Sequence, residues 1–290
     1  MTKDIQLIEL YCTVCHHYNG TLAAEAQRLS NNFRPEFTDE ECITTYLFGI
    51  AEGKFGVRET YNFIKEYWAD WFPKMPSYQN YNRRTNLLAE SFQTLYALLI
   101  SEAGSETDIL THLIDSMPII VANNKRSGSA KTASELCDKG NCASKGMYYY
   151  GVKLHVLGQS QHHLLPKVRM ALVTSASEND ITVAKEWLAD VHNLDLFADK
   201  AYASEPWAKE LDERGVTLFT PIKLKKGQDS LDSWDRLFSS AVSSVRQAIE
   251  SFFSWIQAKT RIQSASRVRS SNGLIAFIFA RLASLAFFNS

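Results

Sequence analysis

The sequence predicts an all-helical region over residues 1–104, followed over 105–290 by an α/β domain built on a mixed sheet. Three observations predict this. Before residue 104, apolar residues recur at three- and four-residue spacing, the period of a helix with one buried face. After residue 108, short runs rich in β-branched and aromatic residues take over, the composition of strands. From residue 179 onward such runs alternate with amphipathic segments, the order expected of a sheet with helices on its faces.

At the N-terminus, MTKDIQLIEL has charges at positions 3, 4 and 9 and lacks the apolar core of a secretory signal, so a cytoplasmic location is expected. DIQLIELYCTVCHH predicts an amphipathic helix with Ile5, Ile8, Leu10, Cys12 and Cys15 turned inward. Its CTVCHH also has the spacing of a haem-attachment site, which needs export, or of half a zinc site. The remaining zinc ligands could then come only from His16, His17, Cys137 or Cys142. Five cysteines, an odd number, fit reduced thiols. Thr38 with Glu41 three residues on forms a capping box that opens the next helix, and residues 61–72 and 83–102 continue the bundle.

Strands are predicted in HLIDSMPIIV (112–121), MYYYGVKLHVLG (147–158), LLPKVRMALVT (164–174), LDLFADKAY (194–202) and VTLFTPIK (216–223). NDITVAKEWLADVH is an amphipathic helix, and SEPWAKELDERG is another with Ser204 as N-cap and Gly215 as stop. The polar stretches 122–146 and 223–240 are expected to be long insertions of functional or mobile character. SSVRQAIESFFSWIQ (243–257) is a helix with Val245, Ile249, Phe252, Phe253 and Ile256 on its packing face. GLIAFIFARLASLAFF (273–288) is short for a bilayer and broken by Arg281, so a core helix or subunit contact is expected and no membrane.

With 45% hydrophobic and 22% charged residues, the chain has the composition of an ordinary globular protein, and its net charge of −1 does not by itself point to a polyanionic partner. The charge is unevenly placed. Residues 243–290 hold Arg246, Lys259, Arg261, Arg267, Arg269 and Arg281 against a single acid, Glu250.

Three carboxylates stand out. Asp115 lies inside an apolar strand, where an unpaired charge costs several kcal/mol. Asp199 ends a second apolar run, and strand ends are where α/β sheets form sites. Glu250 flanks the packing face of its helix, on one stripe with Arg246 and Gln257. Oxygen-only ligands suit hard divalent cations. Two Mg²⁺ or Mn²⁺ ions about 4 Å apart can activate a hydroxyl and stabilise a leaving oxygen at phosphorus. The competing reading of the helix pair is an i,i+4 salt bridge between Arg246 and Glu250.

The blocks DSMPI, YYYGVKLHVLG, TSASENDI, ADKAY, TPIK and VRQAIESFFSWI, in this order, resemble the DDE transposases of bacterial insertion sequences, closest to the insertion-sequence 982 family. The likeness covers nearly the whole chain, including TDEE and YNRRTNLL. It implies an RNase H-like catalytic core with Asp115, Asp199 and Glu250 as the acidic triad and metal ligands. It also implies cutting and joining of double-stranded DNA at terminal inverted repeats and at a target, by a homodimer or higher assembly. Related transposases often carry a Tyr three residues before the Arg and a Lys seven after the Glu. Those positions here are Ser243 and Gln257, so that either Lys259, nine residues after the Glu, supplies the phosphate contact or no residue does.

Other DNA contacts are expected from Lys125 and Arg126 in the first polar stretch, Lys153 and His155 alternating on one face of their strand, Lys200 beside Asp199, and Arg246, Arg267 and Arg269. For each, a solvated or salt-bridged charge is the alternative. Tyr202 is expected to pack, Trp234 to anchor in the core or else to wedge into distorted DNA, and His162 and His163 to lie in a hairpin without a role. The reading is a magnesium-dependent DNA transposase. A structure-specific nuclease of the same core and an inactive transposon-derived DNA-binding protein are the alternatives.

Overall fold

The computed structural model describes residues 2–26, 35–104, 110–142, 146–162, 164–224, 227–228 and 230–289; His163 lies outside them. In chain order the helices and strands are α1 (Lys3–His17), α2 (Ala23–Glu25), α3 (Asp39–Ala51), α4 (Val57–Tyr67), α5 (Tyr78–Leu87), α6 (Ala89–Glu102), β1 (Thr111–Asn123), α7 (Asn124–Ser127), β2 (Asp138–Cys142), β3 (Met147–Gln159) and β4 (Lys167–Ser175). There follow α8 (Asp180–Trp187), β5 (Leu194–Phe197), a 3₁₀ turn (Lys200–Tyr202), α9 (Glu205–Asp212), β6 (Val216–Phe219), α10 (Ser233–Thr260) and α11 (Ser271–Phe288). The predicted order of an all-helical region and then a mixed, RNase H-like sheet with helices is the observed one.

The chain forms two compact units, residues 1–104 with 131–135 and 256–290, and residues 105–130 with 136–255. A single cut near 104, with everything after it in the sheet domain, is therefore not the observed division. The C-terminal segment returns to the helical unit, where α11 packs against α3, α5 and α6. A helix that is apolar all round calls for partners on several sides, and these helices bury half of it. By length and apolarity alone α11 could cross a membrane; its Leu274, Ile278, Phe279, Leu282 and Ala283 are buried.

In the helical unit the Thr38 capping box forms as expected: Glu41 N–H donates to Thr38 Oγ1 at 3.2 Å, and Thr38 N–H donates to Glu41 Oε2 at 2.6 Å. The inward stripe of α1 differs from the expected one. Leu7, Leu10, Val14 and His17 are buried, while Ile5, Ile8 and Cys12 are exposed. Both stripes have helical spacing, and packing selects the one beside it.

In the sheet unit the strand order is β2-β3-β1-β5-β6, with β4 also pairing β3. β1 runs antiparallel to β3 and parallel to β5; β6 is parallel to β5 and β4 antiparallel to β3. β2 and β4 share one edge of β3 end to end, β2 on Met147–Gly151 and β4 on Val152–Gln159. Gly151 is required there, because a Cβ would lie 2.1 Å from the Ile119 carbonyl oxygen across the β1 bulge.

The two polar stretches are partly ordered. The first contains α7 and β2; the second ends where α10 begins, at Ser233, ten residues before the predicted helix start. That extra length is solvent-facing, with Trp234 73% and Leu237 64% exposed.

Alternation along the paired strands divides the sheet into two faces. Ile114 and Leu157 belong to a core with Ala184 of α8, Leu188 just past its end, and Trp207 and Leu211 of α9. Asp115, pairing Val156, points to the other face, where it meets Arg246 of α10.

Candidate active site

The parallel register of β1 and β5 brings the two strand aspartates level. Its last pair is Leu113 with Phe197, so Asp115 and Asp199 each lie two residues further along, on one face. β5 ends at Phe197, and Asp199 sits just past it, entering the 3₁₀ turn. On α10, Arg246 and Glu250 are one turn apart and share a side.

Arg246 joins the three acids. Its guanidinium lies 3.1 Å from Asp115 Oδ2, 3.6 Å from Asp199 Oδ1 and 3.7 Å from Glu250 Oε1. The acids grade outward: Asp115 is 20% exposed in its side chain, Asp199 48% and Glu250 61%. The cluster is thus closed at Asp115 and open to solvent at Glu250, as a site for a macromolecular substrate needs. Burial pushes the Asp115 carboxyl up to about 6; Arg246 and the Ser116 N–H, donating to Asp115 Oδ1 at 2.8 Å, oppose this, and the charges of Asp199 and Glu250 add to it. Three carboxylates around one guanidinium leave excess negative charge at one point, held by oxygen ligands alone. Such a set fits a hard divalent cation. Arg246 Nε is buried without a hydrogen-bond partner among the described residues, a second sign that the cluster is not internally balanced.

Several expected DNA contacts are otherwise engaged. Arg246 is buried and committed to the acids, which realises the salt bridge to Glu250 and extends it to the two aspartates. Lys153 and His155 share a face as expected, but it is the face opposite Asp115, since they pair with Pro118 and Ser116. There Lys153 Nζ donates to Glu178 O at 2.7 Å and to Asp180 Oδ1 at 2.9 Å. His155 is buried, its Nε2 is 2.9 Å from Thr174 Oγ1, and burial pushes it down to about 4. Neither can meet a phosphate at the acids.

Lys125, Arg126, Lys200 and Lys259 are exposed. In the helical unit Arg267 pairs with Glu59 at 3.0 Å, and Arg269 donates to the carbonyls of Ser266 and Val268. Gln257 Oε1 accepts the Gln263 N–H at 2.8 Å, a local backbone tie. Tyr202 packs in the core as expected, yet its hydroxyl is buried without a partner among the described residues. Trp234 is 73% exposed, so it is not the core anchor expected of it.

Two features had no forecast. Ser116 Oγ donates to Asp180 Oδ1 at 3.2 Å behind the triad; nothing local in the sequence marks that pair. In the helical unit His16, His17 and Glu102 bring ligand atoms within 4.8 Å, without Cys12 or Cys15.

Comparison with known proteins agrees with this geometry. Residues 107–287 match a family described as Transposase DDE domain. Neither the curated proteins nor the solved structures gave a match. The family match spans more than half of the chain and contains all three carboxylates, so the chain belongs to the DDE transposase domain family.

Proposed function

We propose that this chain is a divalent-metal-dependent DNA transposase that cleaves the ends of an insertion sequence and joins them to target DNA. The observation that carries the reading is the convergence of Asp115, Asp199 and Glu250 on one guanidinium inside a DDE domain. The ordered blocks from DSMPI to VRQAIESFFSWI support the insertion-sequence 982 affiliation within that family.

DDE domains typically use divalent metals, and here Asp115, Asp199 and Glu250 would hold Mg²⁺ or Mn²⁺. When bound, such ions supply Lewis acidity at a phosphodiester and make an oxygen nucleophile accessible at neutral pH. The chain's own groups prepare the place. The Ser116 N–H fixes one Asp115 oxygen, Arg246 keeps the three carboxylates gathered, and the open Glu250 side admits the scissile phosphate. The nucleophile is water and then a DNA 3′-hydroxyl, with no covalent protein intermediate.

The test is cleavage and joining of DNA carrying the element's own ends. Asp115→Asn, Asp199→Asn and Glu250→Gln should each lower cleavage on the order of a thousandfold, because each removes part of an effect worth several kcal/mol. End binding should persist, and chelator should abolish cleavage by the parent protein. Near-parental cleavage by any variant removes that residue from the site; cutting without joining identifies a nuclease instead.

A further inference from the structure

The helical unit contains a half-open cavity of about 420 Å³ whose rim and floor carry Arg58, Arg261, Arg267, Arg269 and Arg281 against one carboxylate, Glu59. Two chain regions far apart in sequence supply these residues: the start of α4, and the link between α10 and α11 together with α11 itself. We infer that this cavity is a seat for the sugar-phosphate backbone of duplex DNA, distinct from the carboxylate site. The inference rests on the transposase reading and adds a substrate-holding surface to it.

Three observations carry it. The first is charge: five guanidiniums share a concavity with a single anion, which focuses positive potential on whatever enters. Arg267 already takes Glu59 at 3.0 Å. Arg58 and Arg261 have no carboxylate at ion-pair distance among the described residues.

The second is preorganisation. Arg58 sits over the Tyr78 ring at 3.8 Å, Arg261 over Phe55 at 5.1 Å and Arg281 over Phe277 at 3.4 Å. A guanidinium resting on an aromatic face keeps its in-plane N–H donors free for phosphate and gives up less freedom on binding. Arg281 is 1% exposed and spends its donors on the carbonyls of Thr260, Phe277 and Phe55. No carboxylate pairs with it among the described residues, so it acts as a fixed positive charge beneath the floor.

The third is backbone strain. Arg261 adopts a left-handed conformation, with φ of 53°. A non-glycine residue there costs free energy and recurs where a side chain must be aimed. The strain follows directly on α10 and turns Arg261 toward the ring of Phe55. The cavity's size suits one or two backbone units and not a folded partner.

The experiment uses the full chain and duplex DNA of arbitrary sequence, with affinity measured across salt. Arg58→Ala and Arg261→Asn, the latter chosen because asparagine tolerates positive φ, should each reduce the slope of log affinity against log salt by roughly 0.9, and the double variant by the sum. Glu59→Gln should move affinity the opposite way, upward. Each of these variants should keep the parental melting temperature within a few degrees. Parental DNA binding with unchanged slopes in both arginine variants overturns the seat and leaves the transposase reading standing. No DNA binding by the parent protein overturns both. Inorganic phosphate competing as well as the duplex, phosphate for phosphate, overturns the seat in favour of a small-anion site.

Discussion

The two faces of the central β1–β3 pair carry charged groups from neighbouring residues and treat them oppositely. On one face Ser116, Lys153 and Asp180 form a network in which the lysine is shared between a carbonyl and a carboxylate and the serine donates to the same carboxylate, while His155 beside them bonds Thr174. On the other, Asp115, Asp199 and Glu250 outnumber the one cation paired with them among the described residues, and that cation keeps a buried N–H without a partner among those residues. A closed network makes structure. An unbalanced one leaves capacity for something not yet bound, and this difference separates a functional cluster from a structural one more sharply than burial does.

The strongest way to break the comparison is to remove Arg246. Arg246→Gln strands a buried Asp115 beside two further carboxylates, and breaking a buried pair this way costs roughly 3–5 kcal/mol. The loss should appear at pH 8 in chelator as a lowered denaturation midpoint. Millimolar Mg²⁺ should restore a larger share of stability to the variant than it adds to the parent, since the variant lacks the competing cation. An equal Mg²⁺ response in both would mean that the guanidinium and the metal do not share the cluster.

A second test acts on the closed face. The unfolded chain takes up a proton on His155 near pH 6.5, whereas the folded one, with burial dominating over the attraction of Asp180 and reinforced by Lys153, waits until about 4. Stability contributed by the neutral ring is thus whole above pH 6.5 and lost as pH falls toward 4, about 2 kcal/mol of it between pH 7.5 and 5. His155→Gln should flatten that part of the pH profile of unfolding free energy. The same slope in parent and variant would show that this histidine is not held neutral.

Much of this arrangement was legible in the sequence, and the remainder was hidden for identifiable reasons. Asp115 and Asp199 betray themselves as ionisable groups in or beside apolar runs, and Glu250 by helical spacing from a basic partner. The face of Lys153 and His155 depends on register: a strand shows which residues share a face, and only pairing with Pro118 and Ser116 shows which face that is. The first turns of α10 carry Trp234 and Leu237 outward, so no inward stripe marks the helix start. An α11 apolar on every side says that it will be buried and not by what.

The finest test uses Ser116, whose two polar groups serve different faces. Its backbone N–H holds Asp115 Oδ1 at 2.8 Å, and its hydroxyl reaches Asp180 at 3.2 Å on the other side of the sheet. Ser116→Ala deletes only the hydroxyl. Lys153 still holds Asp180 at 2.9 Å, so no charge is stranded and the cost should be near 1 kcal/mol, the net value of one hydrogen bond. The N–H to Asp115 survives, and cleavage of end-bearing DNA should stay within about twofold of the parent. A tenfold fall in cleavage at unchanged stability would mean that the hydroxyl acts through the strand on Asp115. The two faces would then be coupled, and the closed network would serve the triad as a support and not merely lie behind it.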